Sequence, residues 1–270
     1  MFYILLILFI IFITRVISGG ADENYMISVK KSNWKLFENY IIYMAKITGI
    51  SGDQIKKIKK ANTDAEIYKI IGHREYNDKY EKFALSKKIG LLKKFAIELP
   101  FKVEKILDIG TEHIYILDAL QQEFNAEVWG INIDVGFDHY RELDKKRIII
   151  YDGTNIPFDF KFDLINMTAV MHHIPMDNLK ALIKNICKST KSIFIKDNDL
   201  TNDDVINLFI AQHVFFQGGV FNKDQTLGFL NKEITFDLLE KEFAKYNFKC
   251  IKSQFDKNFN NNFYAIFMQT

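Results

Sequence analysis

Polar residues follow three short apolar runs in the middle of the chain, each in a position where a strand would end. They are Asp108 and Gly110 after the first run, Asn132 and Asp134 in the second, and Asp152 and Gly153 after the third. Open parallel sheets bind ligands at the carboxyl ends of their strands. The sequence therefore predicts that these residues meet at one edge of a sheet and form a cofactor site.

Residues that could transfer a proton or contact a substrate end the next two apolar runs. His172 and His173 are adjacent after the fourth run, and Lys196 and Asp197 end the fifth. A histidine at this edge could act as a general base for a hydroxyl or ammonium acceptor, and we take all four residues as candidate catalytic groups. A purely structural role for either histidine remains the alternative.

The elements that must position these residues alternate between strand and helix. Strands are predicted near 104–109, 127–133, 147–151, 162–168, 190–197, 247–254 and 261–269, and helices near 113–125, 136–143, 175–188, 201–216 and 235–245. This alternation indicates a mostly parallel sheet with helices on both faces. The last two strands follow each other without a helix, so the predicted fold is α/β, a seven-stranded sheet that closes in an antiparallel hairpin.

This order of motifs resembles the class I, Rossmann-like S-adenosylmethionine-dependent methyltransferase superfamily. The resemblance covers residues 100–270 and rests on Asp108-Ile109-Gly110, on Phe162-Asp163-Leu164-Ile165, and on Val170-Met171-His172-His173-Ile174-Pro175. The family pattern is Asp-x-Gly-x-Gly-x-Gly, and this chain has Glu112 and Ile114 in place of the second and third glycines. The resemblance implies methyl transfer from S-adenosyl-L-methionine to a nucleic acid (RNA) or to a small molecule.

The resemblance also implies roles for single residues. Gly110 and Asp108 would form the turn under the methionine part, Glu112 would meet its ammonium, Asn132 or Asp134 the ribose, Asp152 and Gly153 the adenine, and Met167 and Thr168 the sulfonium. Lys196 resembles a lysine of RNA ribose 2′-O-methyltransferases, but Asn166-Met167-Thr168 replaces the aspartate of their tetrad, so that tetrad is not predicted. The lost glycines favour the alternative, a catalytically inactive domain that serves as a binding or structural component with a protein partner.

Charge divides the chain into a basic and a mildly acidic part. Residues 24–100 carry sixteen Lys and Arg against eight Asp and Glu, whereas residues 101–270 carry nineteen against twenty-four. The apolar spacing in 24–100 predicts a helical N-terminal region ahead of a methyltransferase-like domain at 101–270. Such a basic region suits a polyanionic partner such as RNA, although solvated lysine-rich helices are the alternative.

Residues 1–20 form a separate hydrophobic segment that resembles a signal or an anchor. Residues 2–13 are uninterruptedly apolar, which is short for a spanning helix but suits a membrane-associated or removable segment. If the segment is an anchor, Arg15 and the lysines after it predict a cytoplasmic body, associated with the membrane through the N-terminus.

Several other classes of protein do not fit. Two cysteines cannot make a disulfide framework, and no Cys/His metal spacing or Walker loop occurs. A nicotinamide-dependent enzyme is disfavoured because GxGxxG is absent.

Overall fold

The computed structural model describes residues 25–71, 89–111, 114–133, 147–200, 202–216, 231–256 and 262–270. The described residues form two compact units. A helical unit contains 25–71 and 202–216, and a sheet unit contains the rest. The N-terminal segment 1–20, the predicted helix 136–143, Glu112 and Asp134 lie outside the described residues.

A seven-stranded sheet organises the sheet unit. Its strands are β1 (Lys105–Ile109), β2 (Glu127–Asn132), β3 (Ile148–Ile150), β4 (Phe162–Thr168), β5 (Thr190–Asn198), β6 (Phe248–Asp256) and β7 (Asn262–Gln269). They lie in the order β3-β2-β1-β4-β5-β7-β6, with β1 to β5 parallel and β7 antiparallel to both of its neighbours. The predicted mostly parallel sheet with a C-terminal antiparallel hairpin is confirmed.

Helices cover the sheet and build the second unit. They are α1 (Tyr25–Ser32), α2 (Trp34–Thr48), α3 (Gly52–Lys60), α4 (Asp64–Ile71), α5 (89–96), α6 (Ile114–Phe124), α7 (Met176–Ser189), α8 (Asp203–Phe216) and α9 (Phe236–Ala244), with a 3₁₀ turn at Met171–His173. None of the helices in the described ranges is long and apolar enough to cross a membrane.

The sheet unit has two apolar cores, and both include buried side chains of the strands. One core contains residues of α7 and α9, and the other contains residues of α5 and α6. On α7, Leu179, Leu182, Ile183 and Ile186 are buried at the spacing of one helix face. The strands β1, β4 and β5 are buried along most of their length, as is typical of parallel strands that are covered on both faces. Their polar residues therefore gather where the strands end.

Asp163 fixes the start of β1 at the amino edge of the sheet, opposite the predicted site. Its carboxylate accepts hydrogen bonds from the backbone N–H groups of Glu104 (2.9 Å) and Lys105 (3.0 Å) and from Lys191 Nζ (2.7 Å). Partial burial would raise the pKa of this carboxyl group, but the bonds from Lys191 and the two backbone N–H groups hold it below its ordinary value. The Phe-Asp step of the fourth strand thus has a structural task here.

The helical unit depends on local capping and on one buried carboxylate. Ser51 and Gln54 form a capping box at the start of α3. Asp64, fully buried, accepts hydrogen bonds from the backbone N–H groups of Met26 and Ile27, both at 2.9 Å, and so caps α1 from α4. Desolvation raises the pKa of Asp64 from 3.8 to about 6, against the effect of these two bonds.

Candidate functional site

The turn after β1 adopts a backbone conformation that requires glycine. Gly110 has φ +77°, and the N–H groups of Gly110 and Thr111 both donate to the carbonyl of Ile131, at 2.9 and 3.2 Å. A Cβ on Gly110 would lie 2.5 Å from Val170 Cγ2. The turn therefore has room for a bare backbone only.

Side chains at the carboxyl ends of β4, β1 and β2 form one continuous series of hydrogen bonds, which we call the strand-end chain. Thr168 Oγ1 donates to Asn166 Oδ1 (3.1 Å), and Asn166 Nδ2 donates to Asp108 Oδ1 (2.5 Å). Thr111 Oγ1 donates to Asp108 Oδ2 (2.7 Å), and Asn132 Nδ2 donates to the carbonyl of Thr111 (3.0 Å). Asp108, Thr111 and Asn166 are buried, so these hydrogen bonds fix the conformation of the turn.

The carboxylate of Asp152 accepts hydrogen bonds from residues of its own turn. Its Oδ1 accepts the N–H groups of Thr154 (2.8 Å) and Asn155 (2.7 Å), and its Oδ2 accepts Asn155 Nδ2 (2.5 Å). These donors hold the pKa of the exposed Asp152 carboxyl well below its usual range, the N–H of Asn155 most strongly. The carboxylate is therefore ionised at neutral pH, and most of its acceptor positions are occupied by the turn.

An exposed apolar side chain stands beside the ends of β2 and β3. Ile133 is 65 % exposed although it directly follows the buried Asn132. Its Cγ2 lies 3.5 Å from the position that a Cβ on Gly153 would take, and Gly153 has φ +87°. Ile133 and Gly153 thus offer an apolar, backbone-lined wall of the kind that a flat heterocycle packs against.

The residue that directly follows β4 has a strained backbone. Ala169 has φ +58°, a left-handed conformation that is uncommon for a residue with a Cβ, and its N–H donates to the carbonyl of Lys196 at 2.7 Å. Thr168 lies opposite Lys196 in the β4–β5 ladder. The side chain of Met167 lies fully in the core, so only its backbone can line this edge.

His172 and Asp197 form a buried pair next to this exit. His172 Nδ1 lies 2.5 Å from Asp197 Oδ1, and its Nε2 lies 2.9 Å from Nε2 of the exposed His173. Burial would raise the pKa of Asp197, but His172 above all, then the N–H of Asn198 and the charge of Lys196, hold it below its ordinary value. Asp197 is therefore an ionised, fully buried carboxylate.

The structure brings many of the predicted residues to one edge of the sheet. Asp108, Asn132 and Thr168 belong to the strand-end chain. Glu112 and Asp134, which were also predicted to contact the cofactor, lie outside the described residues. No role was predicted for Thr111 or Ile133. A signal for Thr111 is its place directly after Gly110, where a hydroxyl can reach back to the carboxylate of an Asp-x-Gly step.

No protein-family model and no curated protein matches the chain. Solved structures do. The PH0226 protein from Pyrococcus horikoshii OT3 is 17 % identical, with a TM-score of 0.51 over 74 % of this chain and 93 % of that one. A putative O-methyltransferase from Nostoc punctiforme PCC 73102 is 13 % identical, with a TM-score of 0.50 over 87 % and 72 %. An S-adenosylmethionine-dependent methyltransferase from Clostridium acetobutylicum ATCC 824 is 13 % identical, with a TM-score of 0.48 over 70 % and 98 %.

Identities this low show the fold alone. The strand order and the antiparallel β7, together with the likeness to the putative O-methyltransferase from Nostoc punctiforme, give the sheet unit the predicted α/β methyltransferase fold.

Proposed function

We propose that the protein, which has the class I methyltransferase fold, is an S-adenosylmethionine-dependent methyltransferase. The observation that carries the proposal is the turn after β1, in which the left-handed Gly110 is held by the strand-end chain at the carboxyl edge of the sheet. Open parallel sheets bind their ligands at this edge. The same edge presents the exposed Ile133 beside Gly153.

The residues present fit the cofactor in three places. The bare backbone at Gly110 admits the methionine part, Ile133 and Gly153 provide a wall for the adenine, and Asn132 stands at the end of β2 where the ribose would lie. Asn132 Oδ1 accepts the N–H of Ile133 at 2.8 Å and has a second lone pair for a ribose hydroxyl. Glu112 and Asp134 are the proposed charged contacts to the ammonium and the ribose.

When bound, S-adenosylmethionine supplies a methyl group that its sulfonium already activates. The protein then has to hold the acceptor in line with that methyl group and to exclude water, and positioning of this kind can supply about 7–11 kcal/mol of the barrier. Thr168 and the strained Ala169 lie at the β4 exit, where we place the transfer. The acceptor is an RNA or a small molecule.

One observation favours the second candidate, an inactive methyltransferase-like domain. Asp108, Asp152 and Asn132 all direct side-chain atoms to hydrogen-bond partners within the protein. In a domain that has lost its ligand, such internal bonds would replace the bonds to the cofactor. Retained cofactor binding separates the two candidates.

Titration calorimetry with S-adenosylmethionine and S-adenosylhomocysteine tests the proposal. We expect dissociation constants in the micromolar range, which correspond to a binding free energy of about −8 kcal/mol. Gly110→Arg should abolish binding, because a Cβ at Gly110 would lie 2.5 Å from Val170 Cγ2 and would distort the turn. Gly90→Arg is the matched control, since a Cβ at Gly90 would meet no described residue within 4 Å. A folded protein that binds neither ligand would refute the enzyme and leave the inactive domain.

A polyanionic partner, RNA in particular, is proposed for the helical unit. On α3, Ile58 is buried while Lys56, Lys57 and Lys60 are exposed. Lys59 makes an ion pair with Glu38 and lies over the ring of Trp34, 5.8 Å from its centroid, and Trp34 is 44 % exposed. Cations beside an exposed aromatic ring suit the phosphates and bases of single-stranded RNA. Membrane association through residues 2–13 stays a prediction.

A further inference from the structure

A buried asparagine at the start of β7 has an unsatisfied side-chain oxygen. Asn262 is 8 % exposed, and its Oδ1, which is closed off from solvent, accepts no hydrogen bond from the part of the chain that the structure describes. Buried polar atoms are nearly always hydrogen-bonded, because an unpaired one lowers the stability of the fold. This oxygen therefore suits a hydrogen-bond donor that a ligand brings.

Asn262 lies at the edge of the sheet that holds the candidate cofactor site. Because β7 runs antiparallel to β5, Asn262 pairs with Asn198, the last residue of β5. Asn198 is 2 % exposed, so two buried amides stand side by side at the carboxyl end of β5. Residues that pair in this way have Cβ atoms about 5 Å apart.

Asn262 also shares a face of the sheet with the strand-end chain. Tyr264 of β7 and Leu164 of β4 belong to the core that contains residues of α5 and α6. Side chains alternate between the two faces of a strand, so Asn262 and Asn166, each two residues away, lie on that same face. Asn166 donates to Asp108 below the candidate cofactor turn. The polar end of this face thus runs from the cofactor turn to Asn262.

The proposed position of the cofactor leaves β5 and β7 to the acceptor. The residues that fit the cofactor lie at the ends of β1, β2 and β3, transfer is placed at Thr168 on β4, and β5 and β7 are the next two strands. Thr168 pairs with Lys196, and Lys196 pairs with Tyr264, two residues from Asn262. With strands about 4.8 Å apart and a rise of about 3.3 Å per residue, the backbones of Thr168 and Asn262 are about 12 Å apart. After the asparagine side chain and one hydrogen bond, the remaining distance is about the width of one ring.

We propose that Asn262 Oδ1 determines specificity by accepting a hydrogen bond from the methyl acceptor. This inference rests on the proposed methyltransferase function and names the class of its substrate. The acceptor is a ring compound that carries a neutral amino, amide or hydroxyl donor about one ring away from the atom that receives the methyl group. An amide oxygen only accepts hydrogen bonds, so a carboxylate or phosphate does not fit at this position. Since the bond forms away from water, an acceptor without the donor is discriminated against.

The stability of Asn262→Leu tests the inference without an acceptor. Leucine is close to asparagine in size and removes the unpaired oxygen, so the midpoint of denaturant unfolding should stay the same or rise. Asn166→Leu is the matched control. Asn166 is also a buried asparagine near a strand end, but it donates to Asp108 Oδ1 at 2.5 Å, so its replacement should lower the midpoint. A fall in Asn262→Leu as large as in the control would show a structural amide and overturn the inference.

Paired acceptors test recognition itself. The probes are hydroquinone with 4-methoxyphenol, 4-aminophenol with 4-(dimethylamino)phenol, and adenosine with its 6-dimethylamino analogue, so that methyl groups cap the donor in the second member of each pair. In the wild type we expect kcat/KM to be about 10-fold or more higher for the first member of the pair that is used. In Asn262→Leu the two members should differ only a few-fold, whereas a purely steric preference would persist.

The outcomes separate this inference from the proposed function. If S-adenosylmethionine does not bind, the proposed function fails. If it binds with the same affinity to the wild type and to Asn262→Leu, the inference still fails when the wild type uses both members of a pair equally, when the variant keeps the preference, or when no probe is methylated.

Discussion

Replacing Gly110 with alanine should damage the sheet unit by two separable effects. The first is backbone strain, because φ +77° costs an L-residue about 1–2 kcal/mol. The second is overpacking, because the new Cβ would lie 2.5 Å from Val170 Cγ2 and 3.2 Å from Val170 Cγ1, which typically costs about 1–3 kcal/mol. We expect Gly110→Ala to lower the free energy of unfolding by about 2–5 kcal/mol.

Gly153→Ala is the matched control. It imposes similar strain at φ +87°, but among the described residues its Cβ would meet Ile133 Cγ2 alone, at an ordinary 3.5 Å. We therefore expect a loss of about 1–2 kcal/mol there. Denaturant unfolding followed by the fluorescence of Trp129, with Trp34 replaced by phenylalanine, reports on the sheet unit. Equal losses in the two variants would show that Val170 does not confine the turn.

A double-mutant cycle isolates the contact itself. Val170→Ala removes both Cγ atoms that the new Cβ would meet, so it should recover most of the overpacking part, about 1–3 kcal/mol, in the Gly110→Ala background. Val170→Ala alone should be mildly destabilising, since it removes partly buried methyl groups. Additive effects of the two substitutions would refute the reasoning about this turn.

Three further predictions follow from other contacts. Thr111→Val leaves the buried Asp108 Oδ2 without its hydroxyl donor and should destabilise the sheet unit by about 1–3 kcal/mol in denaturant unfolding, whereas Thr111→Ser should not. Asp64 has a raised pKa of about 6, so its contribution to stability is complete below pH 3.8 and is lost as pH rises through 6, by about 3 kcal/mol. Hydrogen exchange at Met26 and Ile27, corrected for intrinsic rates, should therefore quicken from pH 5 to pH 7.5, and Asp64→Asn should remove this change. Charge reversal of Lys57 and Lys60 should weaken salt-dependent RNA binding more than reversal of two exposed lysines on α7, and a lack of any salt-dependent binding by the intact protein would remove RNA as partner.

The sheet could be predicted from the sequence because each strand contains a short apolar run that is followed by polar or turn residues. The run Phe162–Thr168 matches β4 in full, and Lys105–Ile109 differs from the predicted first strand by one residue. The hairpin of β6 and β7 followed from two runs with no helix between them. The helix α1 was not identified as an element of its own. Part of its capping comes from Asp64, which is remote in sequence and accepts the N–H groups of Met26 and Ile27.

The candidate site was predicted less completely than the sheet, for a physical reason. Periodicity identifies which residues end a strand, but it carries no information about side-chain hydrogen bonds between strands. Asn166 and Asp108 become partners because β4 lies beside β1, although the two residues are far apart in sequence. The pairing of His172 with Asp197 depends in the same way on the 3₁₀ turn lying against β5.

A glycine on the neighbouring strand gives the turn after β1 space for a threonine side chain. Gly130 on β2 lies opposite Asp108 in the ladder, and a Cβ there would lie 2.5 Å from Thr111 Oγ1 and 3.0 Å from Thr111 Cβ. Gly130 therefore makes room for the threonine side chain, and the threonine hydroxyl in turn binds both the carboxylate and the carbonyl of Asp108. Side chains thus hold this turn in place, so the missing second and third glycines do not by themselves argue against a formed cofactor site.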